Sequence, residues 1–176
     1  MLSRLCRNNN ILLFRTKLIM LSRDELKDRI NSEPPLVENT IDTETQLQPN
    51  SFELTLKGIE ALKGTGAVDF DNTQRHIPES ESIEFNAEGW AFLKPGTYKI
   101  TFNEVVNIPL DLAAIARPRS SLLRCGVTVE SAVWDSGYRG RSESMLVVHN
   151  PNGFRVRQNA RPVSYTHLTL PTNREV

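Results

Sequence analysis

The chain has 176 residues, of which 39% are apolar and 24% are charged. This length provides one compact core and excludes two domains of ordinary size. The 21 basic residues balance the 21 acidic ones, which excludes a bulk positive field that would gather nucleic acid or anionic lipid.

Ligand-bearing and membrane-spanning features are also sparse. Cys6 and Cys125 are the two cysteines, which excludes a disulfide scaffold and a four-cysteine zinc site. The three histidines share no metal-ligand spacing, so we expect them on the surface or in loops and expect no metal bound by the chain itself. No apolar run approaches the about 20 residues that a membrane span needs. We therefore expect a soluble, cytoplasmic protein with no membrane or nucleic-acid partner.

Residues 1–19 carry four basic residues and no acidic one, and Met20 follows them. Without these four charges, 17 basic residues face 21 acidic ones, a net charge of −4 that is ordinary for a soluble domain. We interpret 1–19 as a non-native leader that results from a start codon placed too early. The alternative is a targeting presequence, which would also be Arg-rich and acid-poor.

The folded part is predicted to begin with a short helix. Ser22 and Glu25 form a capping-box pattern, and Leu26 and Ile30 fall on one helical face. Pro34-Pro35 follows and stops the helix. Eight short segments rich in β-branched and aromatic residues come next, divided by glycines and prolines: 51–56, 82–85, 90–93, 97–106, 112–116, 127–134, 145–149 and 154–156. This pattern predicts an all-β barrel or sandwich.

The last segment, 162–176, departs from this order. Pro162 removes a ladder donor, and the run from Ser164 to His167 supplies no apolar alternation. We expect 162–176 to be non-native, as a frame or library artefact would be. The alternative is a disordered tail.

A cluster of polar donors follows the predicted strand 112–116. Residues 117–124 place three guanidinium groups and two hydroxyls within eight positions. Planar guanidinium forks and short hydroxyl donors suit phosphate oxygens, and a short helical turn at 120–124 would aim backbone N–H groups at an anion. The cluster predicts a polyphosphate ligand, with a solvated basic turn as the alternative.

Asp135 ends the apolar run 127–134 and precedes the turn Ser136-Gly137-Tyr138-Arg139-Gly140. A carboxylate held rigidly beside a tight turn can orient and deprotonate a water molecule, so Asp135 is the candidate general base. Alternatively, Asp135 is a turn-forming residue that bonds local amides, and Tyr138 is a packing aromatic.

Taken together, these segments resemble the deoxyuridine triphosphatase (dUTPase) and dCTP deaminase superfamily, and most of all its archaeal or viral dUTPase branch. The resemblance covers 20–161, in the family's order. The matching segments are Gln48-Pro49-Asn50-Ser51-Phe52-Glu53-Leu54, Pro95-Gly96, Arg119-Ser120-Ser121-Leu122-Leu123-Arg124-Cys125-Gly126, Ala132-Val133-Trp134-Asp135-Ser136-Gly137-Tyr138-Arg139-Gly140, Asn150-Pro151 and Asn159-Ala160-Arg161.

The resemblance implies a distorted jelly-roll β-barrel of the dUTPase-like, β-clip type. It also implies a homotrimer with active sites between subunits that hydrolyses dUTP to dUMP and pyrophosphate. Mg²⁺ would be held mainly through the substrate triphosphate, as hard cations with retained waters commonly are.

By motif matching, Asp135 would position the attacking water and Tyr138 would pack under the deoxyribose, where a 2′-hydroxyl would clash. The hairpin 126–134, with Gly126, Val133 and Trp134, would read the uracil edge. The residues that would hold the phosphates are Arg119, Ser120, Ser121 and Arg124. Glu53 would support the site, although the family usually has Asp at that position.

Three other functions stay open. The resemblance implies that a dCTP deaminase or bifunctional enzyme would need a glutamate three positions before Asn150, where this chain has Val147. Glu143 would substitute only if the strand register slipped by about two residues, which preserves facing. A non-catalytic dUTP-binding trimer is favoured by the missing apolar strand and closing arm after Arg161. DNA binding is the third, through Arg117, Arg119, Arg124, Arg139 and Arg141.

Overall fold

The computed structural model describes residues 19–170. The predicted leader lies outside the described residues except for Ile19, as do the last six residues of the segment 162–176. No helix among residues 19–170 is long and apolar enough to cross a membrane.

Three short helices are present in the described part of the chain. The first, α1 (Arg23–Ile30), confirms the predicted capping box: the Ser22 N–H donates to Glu25 Oε2 at 2.8 Å, and Glu25 N–H donates to Ser22 Oγ at 3.4 Å. Its buried face consists of Leu26 and Ile30, as predicted. The others are α2 (Thr43–Gln46) and α3 (Ser120–Arg124), the latter at the predicted helical turn.

Strands dominate the fold, which confirms the all-β class. Eleven lie in the described range: β1 (Val37–Glu38), β2 (Phe52–Leu54), β3 (Leu56–Lys63), β4 (Glu79–Ser82), β5 (Trp90–Leu93), β6 (Gly96–Asn107), β7 (Leu112–Pro118), β8 (Val127–Glu130), β9 (Arg139–Val148), β10 (Phe154–Arg157) and β11 (Val163–Thr169). They form a six-stranded sheet in the order β4-β3-β6-β9-β8, with β1 also paired to β6, a pair β10-β5, and a three-stranded sheet β2-β11-β7.

Several predicted strands have different bounds in the structure. The segment predicted at 51–56 contains β2 and only the first residue of β3, and the one predicted at 82–85 overlaps β4 only at Ser82. The segment predicted at 127–134 ends as a strand at Glu130, while the one predicted at 145–149 begins six residues earlier, at Arg139. Long-range pairing explains the extension, because β6 runs antiparallel to β9 from Gly96↔Val148 to Asn107↔Arg139. A register shift between Thr101 and Val105 of β6 absorbs the irregularity.

A buried carboxylate ties β6 to β2 and α2. Glu104 takes an inward position of β6 between Phe102 and Val106 and is 1% exposed. It accepts hydrogen bonds from Thr55 N–H at 2.9 Å, Thr55 Oγ1 at 2.6 Å and Gln46 Nε2 at 2.7 Å. A buried charge is tolerated only when it is hydrogen-bonded in this way, so this network fixes the strand that carries Glu53.

The segment after Arg161 differs from its prediction. Residues 163–169 form β11, the central strand of the three-stranded sheet, with Val163, Tyr165 and His167 buried on one side. The expected absence of a strand after Arg161 and the alternative of a disordered tail are therefore wrong for this stretch, because aromatic and imidazole rings take the inward positions that aliphatic residues commonly fill. The surface or loop position expected for His167 is also wrong, since its side chain is fully buried.

Three buried side-chain atoms of β11 lack a hydrogen-bond partner among the described residues. Among the described residues, neither the Tyr165 hydroxyl nor either ring nitrogen of His167 has a hydrogen-bond partner. Native cores contain few such groups, because each costs its desolvation energy. A non-native origin of 162–176 stays a prediction.

Candidate active site

The predicted phosphate-binding residues lie around α3. Arg119 is the N-cap of this helix, with an extended backbone (φ −64°, ψ 149°) and no side-chain cap hydrogen bond. Ser120 and Ser121 are exposed in the first turn, and Arg124 is exposed at the end. The segment therefore presents two hydroxyls and two guanidinium groups on one short, exposed turn.

Glu53 holds one of these guanidinium groups together with a second one. Its carboxylate lies 2.7 Å from Arg119 Nε and 2.8 Å from Arg161 Nη1, and its side chain is 6% exposed. Burial raises the pKa of Glu53, while the attraction of Arg119 and Arg161 opposes the rise. The predicted supporting residue thus gathers two cations at the edge of the donor cluster.

Arg161 is a site residue that sequence reasoning did not assign. Besides its ion pair with Glu53, its Nη1 donates to the Thr45 carbonyl at 2.8 Å. Arg119 Nη1 in turn donates to the Arg161 carbonyl at 3.3 Å. These contacts join positions more than 40 residues apart, so no local pattern could have revealed them.

A second group of predicted residues lines one pocket of about 170 Å³. Its wall contains Val133, Trp134, Asp135 and Tyr138, together with Ala132, Ser142 and Glu143. Whole ligands usually occupy roughly 300–1,000 Å³, so this pocket fits one part of a nucleotide.

The turn that carries Asp135 is fixed by backbone hydrogen bonds. Tyr138 N–H donates to the Asp135 carbonyl at 3.1 Å, while Ile108 donates to the Tyr138 carbonyl and accepts from Gly137, both at 2.8 Å. Gly137 has φ +80°, which glycine adopts without strain. Among the described residues, the exposed Asp135 carboxylate has no hydrogen-bond or ion-pair partner, so the turn leaves its oxygens free for a ligand or water.

Trp134 forms the back wall of the pocket. Its indole N–H donates to Ser142 Oγ at 2.6 Å, and the side chain is 6% exposed. Its ring meets Tyr165 edge to face with centroids 4.9 Å apart, and Tyr165 meets His167 in the same way at 4.5 Å. β11 therefore supports the pocket from behind, whereas Val133 is 57% exposed at the front.

Tyr138 lies at the pocket rim and is 38% exposed, so it is not a core aromatic. A Cβ at Gly140 would lie 2.9 Å from the Tyr138 hydroxyl, closer than side chains tolerate. The absence of a side chain at Gly140 thus allows the Tyr138 ring to lie across it.

Gly126 is not among the residues that line the Asp135 pocket. It has φ +71°, a Cβ there would lie 3.1 Å from Asn150 Cβ, and its carbonyl accepts from His149 at 2.9 Å and Asn150 at 3.1 Å. Gly126 therefore connects the end of α3 to the end of β9 and acts through the backbone.

The two groups of predicted residues do not line one common pocket. Among the described residues, the pocket of Asp135 includes none of Arg119, Ser120, Ser121 or Arg124.

The structure separates the two positions considered for a deaminase glutamate. Val147 lies in the sheet opposite Thr97 and Thr128, and it does not line the Asp135 pocket. Glu143 does line that pocket, and its Oε1 lies 3.3 Å from Lys99 Nζ.

The described residues contain no group of three His, Cys, Asp or Glu side chains that could hold a metal. A Mg²⁺ bound to a polyphosphate retains waters and needs only one or two protein carboxylates. The free carboxylate of Asp135 fits that limited requirement.

Comparison with known proteins identifies the family of the chain. A dCTP deaminase-like family model matches residues 20–163. The chain is 58% identical over 158 residues to a probable deoxyuridine 5′-triphosphate nucleotidohydrolase of Methanosarcina mazei, covering 90% of this chain and 92% of the relative. A relative with the same description from Archaeoglobus fulgidus is 46% identical over 157 residues, covering 88% and 92%.

Among solved structures, the chain is similar to 2′-deoxycytidine 5′-triphosphate deaminase from Agrobacterium tumefaciens, with a TM-score of 0.65 and 18% identity over 86% of this chain. The chain spans about half, 49%, of that deaminase chain. This likeness concerns the fold, and it confirms the predicted distorted jelly-roll β architecture.

Proposed function

Since the chain belongs to the dCTP deaminase-like family, we propose that it is a dUTP nucleotidohydrolase that converts dUTP and water to dUMP and pyrophosphate. The observation that carries this proposal is the pocket in which Asp135, with its free carboxylate, lies beside Tyr138 and Val133. The archaeal relatives named as dUTP nucleotidohydrolases support the same choice of substrate.

Arg119, Ser120, Ser121 and Arg124 bind the triphosphate. Hydrolysis of a phosphoanhydride depends mainly on positioning and on neutralising charge. Glu53 holds the Arg119 guanidinium in place before substrate arrives, so that little side-chain freedom is lost on binding.

The base and sugar occupy the pocket. The backbone around Val133 reads the uracil edge, Trp134 closes the back of the cavity, and Tyr138 packs under the deoxyribose. Gly126 forms the backbone turn between α3, which carries the phosphate-binding residues, and the segment 127–134, which reads the base.

Asp135 orients the attacking water and accepts its proton as the bond between the α- and β-phosphates breaks. Because the local amides leave its carboxylate free, both oxygens are available for this role. Mg²⁺, held mainly by the triphosphate, neutralises the charge on the phosphate oxygens when it is bound.

We further propose a homotrimer in which neighbouring subunits complete each site. Its support is that, among the described residues, none of the proposed phosphate-binding residues lines the Asp135 pocket of the same chain, whereas one dUTP must contact both groups. The proposed trimer should be visible as a mass near three times 19.9 kDa in light scattering.

The test is direct measurement of products from dUTP and dCTP in the presence of Mg²⁺. We expect dUMP and pyrophosphate from dUTP, and no ammonia from dCTP. Ammonia release from dCTP at a comparable rate would instead support the deaminase or bifunctional enzyme, the second candidate, which is favoured by the position of Glu143 in the pocket. If dUTP binds but a single-turnover assay shows no hydrolysis, the result would support the non-catalytic trimer.

DNA binding has less support. Arg139 is paired with Glu38, while Arg141 Nη1 donates to the Phe102 and Asn103 carbonyls. These contacts occupy guanidinium groups that would otherwise be free for a phosphate backbone. A steep salt dependence of duplex affinity would contradict this conclusion.

A further inference from the structure

A row of charges crosses three strands of the six-stranded sheet and ends at the Asp135 pocket. Glu60 of β3 lies opposite Lys99 of β6, and Lys99 Nζ is 2.9 Å from Glu60 Oε2. The same Nζ is 3.3 Å from Oε1 of Glu143 on β9. One ammonium group thus bridges two carboxylates.

The last member of this row, Glu143, is also part of the pocket wall. Its side chain is 55% exposed, and it lines the cavity together with Asp135 and Tyr138. The pocket therefore contains a second carboxylate, for which the proposed hydrolysis has no use. Lys99 does not line this pocket and approaches Glu143 from the neighbouring groove.

Lys99 is held firmly in its charged state. Its pKa is raised by the hydrogen bond to Glu60 and by the attraction of Glu143. Glu60 is itself fixed by a hydrogen bond from the Ser80 hydroxyl. The ammonium is therefore anchored to β3, and its effect on Glu143 does not depend on a freely moving side chain.

The charge state of this wall matters for the choice of base. A uracil ring presents a carbonyl oxygen at position 4, where a cytosine ring presents an amino group. A free carboxylate repels the carbonyl oxygen and accepts a hydrogen bond from the amino group, and an unmatched pair of acceptors in a pocket costs affinity. A lysine ammonium beside the carboxylate offsets part of its negative charge and therefore weakens this preference.

We propose that Glu143 is a specificity-determining residue of the base pocket and that Lys99 sets its effect, by offsetting part of the charge of a carboxylate that would otherwise favour cytosine over uracil nucleotides. This inference rests on the proposed function, because it takes the Asp135 pocket as the base site. It concerns the relative affinity for two bases and assigns Glu143 no part in the hydrolytic step.

The test uses the full chain, Mg²⁺, and the probes dUDP and dCDP, with dissociation constants measured by calorimetry. We expect Lys99→Met to lower the preference for dUDP over dCDP about tenfold, and Lys99→Gln to act in the same direction. In the Glu143→Gln background, replacing Lys99 should leave the preference unchanged within twofold, because no carboxylate remains to be unmasked.

The matched control is Lys63→Met. Lys63 forms an exposed cross-strand ion pair with Glu81 at 2.7 Å on β3 and β4, and neither residue lines the pocket. It should leave the dUDP preference within twofold of the unsubstituted chain, and melting curves should show that each variant is folded.

The outcomes separate this inference from the proposed function. A change smaller than threefold in both Lys99 variants overturns the inference, and so does an equal change that persists in the Glu143→Gln background. If dUTP is hydrolysed while the preference does not change, only the inference fails. If the unsubstituted chain neither binds dUDP nor hydrolyses dUTP, the proposed function fails with it.

Discussion

The Glu53 carboxylate of β2 lies 2.7 Å from Nε of Arg119, the residue that follows β7, although β2 and β7 do not pair with each other. β11 separates β2 from β7, and Ser164 of β11 lies opposite both Glu53 and Arg117. The contact therefore spans a whole strand. The glutamate is one methylene longer than the aspartate that the resemblance leads one to expect, which increases the reach available for two guanidinium groups.

Glu53→Gln should impair substrate binding more than turnover. The amide cannot neutralise Arg119 and Arg161, so these two cations repel each other and lose their fixed positions. We expect the KM for dUTP to rise about tenfold, equivalent to about 1.4 kcal/mol, with kcat within about threefold. The free energy of unfolding should fall by about 2 kcal/mol. This loss is smaller than the about 3–5 kcal/mol lost when one partner of a fully buried ion pair is removed, because both arginines are about a third exposed.

The control for this variant is Glu81→Gln, which removes an exposed partner of Lys63. An exposed pair contributes only about 0–1 kcal/mol, so neither KM nor stability should change appreciably. If Glu53→Gln lowered kcat while KM stayed the same, Glu53 would not act by holding the phosphate residues.

Asp135→Asn should abolish turnover and leave nucleotide affinity within about tenfold, or 1.4 kcal/mol. The amide keeps the size of the carboxylate but cannot accept a proton from water. Pyrophosphate release and dUDP binding measure the two effects. Asp111→Asn is the matched control, since Asp111 forms a surface ion pair with Arg29 at 2.6 Å. More than a few per cent of activity in Asp135→Asn would make Asp135 a turn residue only.

Tyr138→Ala should weaken the discrimination against a 2′-hydroxyl. Removing the ring opens space under the sugar and reduces stacking, so kcat/KM for dUTP should fall while the ratio of dUTP to UTP moves toward one. Because Tyr138 is 38% exposed, the melting temperature should change little. Phe92→Ala, which removes an exposed aromatic of β5, should leave the ratio as it is. A lower melting temperature with an unchanged ratio would show a packing role.

His167→Leu should stabilise the protein, increasingly so at lower pH. Burial lowers the pKa of His167 from 6.5 to about 3. Between these values the unfolded chain binds a proton that the native chain does not, so the stability of the unsubstituted chain falls as pH falls below 6.5. The loss is up to about 1.4 kcal/mol per pH unit, and it levels off near pH 3.

Denaturant unfolding at pH 7.5 and pH 5 measures the difference between His167→Leu and the unsubstituted chain. Comparing the two chains cancels the contributions of other titrating groups, including Glu53, whose raised pKa acts with the opposite sign above 4.5. The leucine should gain about 1–3 kcal/mol at pH 7.5, because two unpaired nitrogens are removed. The exposed His76→Gln serves as control, and a pH-independent difference would contradict the prediction.

Local patterns were sufficient for several elements. The capping box at Ser22 and Glu25 predicted α1, and strand 90–93 matches β5 at both ends. The resemblance assigned Asp135 and Tyr138 to one site, and both line the same pocket, because neighbouring residues in a tight turn stay close in space. Such features depend on contacts between residues a few positions apart.

Long-range contacts were beyond the reach of these patterns. The ion pair of Glu53 with Arg161 joins β2 to the connection between β10 and β11, and the early start of β9 depends on β6. Glu104 did leave a signal, because it takes an inward position in the alternation Ile100, Phe102, Glu104, Val106. In β11 the same alternation was obscured, since Tyr165 and His167 were counted as polar although both point inward.

The position of β11 has a consequence for the order of folding. β2 and β7 are joined only through a strand that is synthesised more than 40 residues after β7 ends. Until that strand leaves the ribosome, β2 and β7 have unpaired edges, and contacts of such large sequence separation form slowly. Pairing of the stretch 163–169 with β2 and β7 should therefore limit how much of the chain refolds before it aggregates. Substitutions in this stretch should change the refolding yield more than similar substitutions in the hairpin of β8 and β9.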